Sequence, residues 1–220
     1  MSIQKSTLTL DVNGKTASAY LAGPENGGPG VLVLHAWWGL KPYFKQVCDR
    51  LAEQGFTALA PDLYQGRIAN TIDEARALLE QRNSELMGDT VKAAKDYLAS
   101  FNAGKPIGAV GFSMGASWAL VVASNERDVS AVVLFYGSGG VDFKLVKAKV
   151  LGHYAEVDEW EPLEEIKAME NDIKAAGVDA TFHFYPKVGH WFVEADVPEY
   201  DSEAATLAWE RTFAFLKKNL

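Results

Sequence analysis

The 220-residue chain has a single cysteine, Cys48, so an internal disulfide is excluded. Its helical setting beside Val47 and Leu51 reads as a buried structural thiol, not a redox centre. The chain also lacks a basic excess. Its 21 Lys and Arg stand against 29 Asp and Glu, a net charge of −8, and such a surface repels nucleic acid and anionic lipid. No long apolar run occurs, either in the opening Met1-Ser2-Ile3-Gln4-Lys5-Ser6 or elsewhere. Neither a secretory leader nor a membrane span is therefore expected, and the reading is a cytoplasmic protein, monomeric or a small homo-oligomer. Repeats, linkers and low-complexity segments are absent too. The length suits one domain, residues 1–220, with a real core and no room for a second catalytic module.

What is present alternates. Thr7–Val12 and Thr16–Leu21 alternate apolar with polar residues on either side of Asn13-Gly14, a strong hairpin signal. Gly30–His35, Thr57–Ala60, Ile107–Phe112, Ala131–Tyr136 and Lys149–His153 are short, nearly continuous apolar runs, as in strands covered on both faces of a parallel sheet. Ala180–Tyr185 closes the series. Between them lie helical patterns at Tyr43–Gln54, Ile72–Arg82, Asp89–Phe101, Met114–Ser124, Pro162–Ala176 and Ser202–Lys218, with Gly55 and Gly177 as breakers just past two ends. The expected fold is α/β: about eight strands, mostly parallel, flanked by helices, opened by a hairpin. Ligands in such a sheet gather at the carboxyl ends of the parallel strands.

Gly111-Phe112-Ser113-Met114-Gly115 joins one of those strands to a helix. A serine at so sharp a turn takes a strained backbone, and small neighbours let the turn close with the hydroxyl exposed above the sheet. This is the nucleophile elbow of the α/β-hydrolase fold. A hydroxyl needs a base to take its proton, and in this fold an acid and then a histidine follow the serine in the chain. Asp158, in the loop after Lys149–His153, is the expected acid, with Glu156, Glu159 and Glu161 as competitors. Acids before a helix are commonly solvated and favoured by its dipole, which suits Glu159 and Glu161 better. His190, after the last strand, is the expected base. His183 lies within a strand and reads as structural, and His153 as packing or support for the site. His35 opens the His35-Ala36-Trp37-Trp38-Gly39 loop, whose Trp37 N–H, with the Met114 N–H, is the expected oxyanion hole. Trp118 and Trp209 read as core, whereas Trp37, Trp38, Trp160 and Trp191 sit near proposed catalytic groups, and Trp38, Trp160 and Trp191 are candidates to line an apolar substrate pocket.

With these residues placed, the chain resembles the dienelactone hydrolase family over nearly its full length. The resemblance rests on His35–Leu40, Ala60-Pro61-Asp62-Leu63-Tyr64, Gly111–Gly115, the Asp158 loop with Pro162, and Gly189-His190-Trp191-Phe192. It implies a compact, lidless hydrolase that opens esters or lactones without metal or cofactor. Three positions depart from the best-known members: serine at 113 in place of cysteine, Ala36 in place of a glutamate that interacts with that cysteine, and Glu194 in place of an arginine that grips a substrate carboxylate. Arg76 and Arg82 lie where a second such arginine is expected, without a firm alignment. Glu194 is therefore expected in the pocket, repelling anionic substrates, so that a small neutral ester or lactone is favoured. Dienelactone hydrolysis proper and a non-catalytic binding protein of the same fold are the alternatives.

Overall fold

The computed structural model describes residues 2–102 and 104–220; Met1 and Ala103 lie outside the described residues. Contacts concentrate within two stretches, Met1–Gly108 and Ala109–Leu220. In the first, β1 (Ile3–Val12) and β2 (Lys15–Pro24) pair antiparallel, with Val12 opposite Lys15. The turn takes left-handed backbone at both Asn13 (φ 53°) and Gly14 (φ 79°), the geometry a two-residue hairpin needs. The strands run longer than their alternating cores because the pairing continues to Ile3 opposite Pro24. Next come β3 (Gly30–Leu34), α1 (Pro42–Glu53) and β4 (Thr57–Pro61). β4 pairs antiparallel with β2 and parallel with β3. Every β3 residue is buried, which is why its sequence shows no alternation.

Two helices complete this stretch. α2 (Ile72–Glu80) starts at Thr71, whose hydroxyl accepts from the Glu74 amide at 3.2 Å. α3 (Ser84–Phe101) begins five residues before the expected Asp89, because Asn83 caps it by accepting from the Leu86 amide. The apolar stripe had concealed that polar first turn.

β5 (Ile107–Phe112) leads into the second stretch, where α4 (Met114–Asn125), β6 (Val129–Phe135) and a 3-10 turn at Phe143–Leu145 follow. β7 (Lys149–Ala155), α5 (Leu163–Ala175), β8 (Ala180–Tyr185) and α6 (Ser202–Asn219) complete it. β6, β7 and β8 pair parallel in that order. Their core includes Phe112, Phe135 and Trp209, with the Phe112 and Phe135 rings stacked at 4.8 Å and Trp209 5.2 Å from Phe135. Trp118, read as core, keeps part of its surface exposed. Eight mostly parallel strands interleaved with helices form the expected α/β-hydrolase class. Among the described residues no helix is long and apolar enough to cross a membrane.

Candidate active site

Ser113 stands between β5 and α4 with φ 49° and ψ −116°, a conformation that L-residues rarely adopt. Its amide donates to the Phe135 carbonyl at 2.9 Å, and its own carbonyl accepts from Ala116 at 2.8 Å. Two glycines make room. A Cβ on Gly111 would overlap the Gly115 carbonyl, and one on Gly137 would overlap the Ser113 carbonyl and come within 2.8 Å of Ser113 Cα. The elbow is thus closed between its own strand and the segment after β6.

The Ser113 hydroxyl lies 3.0 Å from His190 Nε2, and His190 Nδ1 lies 2.8 Å from Asp158 Oδ2. A carboxylate only accepts, so Nδ1 carries the proton and donates to Asp158, which leaves Nε2 free to accept from the serine O–H. His190 and Asp158 side chains are 4% and 1% exposed, which keeps water from competing for these bonds. Asp158 Oδ1 accepts from the amides of Trp160 (2.8 Å) and Glu161 (3.0 Å), so three short contacts, with the one to His190, hold the carboxylate. The acid and base loops are laced together as well: the Glu156 amide donates to the Tyr185 carbonyl at 2.9 Å and the Val157 amide to the Val188 carbonyl at 3.3 Å. These three residues can move a proton from serine to histidine and stabilise the imidazolium that results.

Aromatic rings enclose the histidine. Tyr136 lies 5.0 Å from its ring and Trp191 5.1 Å, edge-on, while Trp160, 41% exposed, forms the outer wall 5.7 Å from Trp191. The Met114 N–H is the first amide of α4, at the positive end of the helix. Trp37 and Trp38 belong to the first stretch, both buried, their rings edge-on at 5.5 Å. His35 shapes that loop: its Nδ1–H donates to the Ala36 carbonyl at 2.7 Å and its Nε2 accepts from the Leu63 amide at 3.1 Å. Complete burial lowers its pKa and keeps it neutral, so it is structural.

Two acids depart from expectation. Glu194 does not line a pocket: it has no exposed surface, and its Oε1 accepts from the Tyr136 hydroxyl at 2.8 Å. The Glu194 amide turns back onto the Trp191 carbonyl, which directs the side chain inward under the histidine loop. It cannot repel a substrate by direct contact. Glu161 is not a solvated helix-start acid either, because its Oε1 accepts from both the amide (3.0 Å) and hydroxyl (3.2 Å) of Ser138. Burial raises its carboxyl above the ordinary range, with the Ser138 bonds opposing. Glu156 and Glu159 are exposed, as the solvated reading requires. Arg76 lies on exposed α2 beside Asp73, and Arg82 bonds the Leu79 carbonyl.

The sequence profile described as the dienelactone hydrolase family matches residues 17–220. Protein usf of Aquifex pyrophilus is 34% identical over 224 residues, covering 96% of this chain and 97% of that protein. A protein of Aquifex aeolicus, provisionally named a carboxymethylenebutenolidase, is 31% identical with the same coverage. Among solved structures, a provisionally named dienelactone hydrolase from Klebsiella pneumoniae superposes with a TM-score of 0.86 at 26% identity, covering 99% of this chain and 100% of that one. A dienelactone hydrolase-like promiscuous phosphotriesterase from metagenomic libraries gives 0.88 at 20% identity, covering 100% of this chain and 99% of that one, a likeness of fold.

Proposed function

Because the chain belongs to the dienelactone hydrolase family and is thus a carboxylic-ester hydrolase, we propose that it cleaves small neutral esters or lactones through an acyl-enzyme on Ser113. The observation that carries this reading is His190 bridging Ser113 at 3.0 Å and Asp158 at 2.8 Å. His190 Nε2 takes the serine proton as Oγ attacks the carbonyl carbon. The resulting oxyanion is met by the Met114 N–H at the start of α4. His190 then returns the proton to the departing alcohol, or to the ring oxygen of a lactone, and a water activated by the same histidine releases the acid.

The neutral-substrate part rests on what stands where the resemblance places an arginine. Glu194 is buried and bonded to Tyr136, so that position offers no cation to a substrate carboxylate. Tyr136, Trp191 and Trp160 flank the histidine with uncharged rings. The test is a panel of p-nitrophenyl esters and lactones, each with a carboxylate-bearing counterpart, given to wild type and Ser113→Ala. Neutral substrates are expected to show the higher kcat/KM, with activity lost in the variant. A preference for the carboxylate-bearing lactone would instead assign dienelactone hydrolysis proper, and activity in Ser113→Ala would overturn the acyl-enzyme.

A further inference from the structure

Among the described bonds the Glu161 side chain meets none of the three residues that would handle the proton, yet Glu161 closes a ring around them. Its amide donates to Asp158 Oδ1 at 3.0 Å, so the acid loop is fixed to Glu161 through the backbone. Its side chain grips Ser138 by two bonds, at 3.0 and 3.2 Å. Ser138 follows Gly137, the residue packed so closely on Ser113 that a Cβ there would overlap the serine carbonyl. The Gly137 carbonyl is itself held by the Tyr154 hydroxyl at 3.1 Å, and the Ser113 amide by Phe135 two residues before Gly137. Followed round, the ring is Ser113, the Phe135–Ser138 segment, Glu161, Asp158, His190 and Ser113 again. Its one side-chain link between the acid loop and the segment under the elbow is Glu161 to Ser138 among the described bonds.

We propose that Glu161 is a positioning residue, a latch that ties the acid loop to the segment beneath the nucleophile and so sets the Asp158–His190–Ser113 distances. This rests on the acyl-enzyme reading above. Without the latch, the loop from Glu156 to Pro162 keeps its two backbone bonds to the base loop but loses its tie to the elbow. A misplacement of about 1 Å at a reacting centre can cost roughly a hundredfold in rate. Burial raises the Glu161 carboxyl, so its ionised form is held at a cost to folding that a neutral amide avoids.

The experiment compares wild type, Glu161→Ala, Glu161→Gln, Ser113→Ala and the exposed control Glu164→Gln in hydrolysis of p-nitrophenyl acetate from pH 5 to 9, with thermal melts. Glu161→Ala is expected to lower kcat by roughly tenfold or more with KM nearly unchanged, as a defect confined to the chemical step does. Glu161→Gln keeps an acceptor for Ser138 and is expected to recover most of kcat and to melt no lower than wild type at pH 7. Wild-type kcat and pH profile in Glu161→Ala, beside an inactive Ser113→Ala, would overturn the latch and leave the acyl-enzyme standing. Equal losses of activity and melting temperature in the Ala and Gln variants would reduce Glu161 to a structural role and also overturn it. Activity in Ser113→Ala would bring down both readings. Should Glu161→Ala fail to fold, Glu161→Asp, one methylene too short to keep both bonds to Ser138, takes its place with the same expected loss of kcat, and wild-type kcat in it would overturn the latch.

Discussion

At the scale of single residues, Ser113 holds a conformation that costs on the order of 1–3 kcal/mol, and its neighbours impose it. Ser113→Ala should lower kcat by about 10⁶-fold with an unchanged circular dichroism spectrum, since the attacking atom is gone and the backbone is not. Ser113→Gly should be equally inactive yet melt above Ser113→Ala, because glycine enters this region without a Cβ penalty. A melt no higher than that of the alanine variant would mean the elbow stores no strain. Asp158→Asn is expected to cost about 10⁴-fold in kcat by presenting the wrong hydrogen-bond donor to Nδ1, while exposed Glu159→Gln changes little. Glu194→Arg, which would suit a pocket residue, instead forces a guanidinium into a site with no exposure and breaks the bond to Tyr136. The expected result is a loss of about 3–5 kcal/mol in urea denaturation, not an altered substrate preference.

At the scale of elements, the strand–turn–helix unit of β5 and α4 depends on Gly137 from outside it. Gly137→Ala should displace the elbow and reduce kcat by roughly a hundredfold, measured against active-site titration so that misfolded protein is not counted. This unit was legible in the sequence because each part leaves a local mark: an unbroken apolar strand, a small residue where a helix turn crosses it, a helical run after. β8 was legible over its full span, Ala180–Tyr185, though its pattern is mixed, with exposed Thr181 between buried Ala180 and Phe182. The first turn of α3 was not, since Ser84 and Glu85 carry no stripe and only the Asn83 cap marks them. The site's supporting contacts were illegible in a stronger sense. Tyr136 with Glu194 and Ser138 with Glu161 are 58 and 23 residues apart, and no periodicity links them. A glutamate before a proline at a helix start looks like a solvated acid until the folded chain puts Ser138 against it. One signal was available for Glu194: it lies in an apolar run, Trp191-Phe192-Val193, where a charge must be paired or held.

At the scale of the whole molecule, two fully buried histidines make stability depend on pH. His153 Nδ1 meets the Tyr185 hydroxyl at 2.9 Å and Nε2 meets Thr212 Oγ1 at 3.0 Å, while Arg211 donates to the same Tyr185 oxygen. Burial, reinforced by His183 and Arg211, pushes His153 well below its ordinary value, and burial lowers His35 too. Below about pH 6.5 the unfolded chain therefore binds protons that the folded one refuses, and stability falls as pH falls. The expected slope approaches about 1.4 kcal/mol per pH unit for each histidine. Urea midpoints from pH 7 to 5 measure it, and His153→Gln should lower the midpoint at pH 7 yet flatten the slope. An unchanged slope would mean that His153 takes up its proton inside the fold. The three residues of the candidate triad also have an order in time. Synthesis at about 5–20 residues per second separates Ser113 from His190, 77 positions later, by roughly 4–15 s. α6, which packs on β6 and β7 and whose Asn219 carbonyl holds Ser130, is made later still. On the acyl-enzyme reading, a ribosome-bound chain thus carries its serine with no base beside it, and it stays chemically inert toward esters until His190 has been made and folded into place.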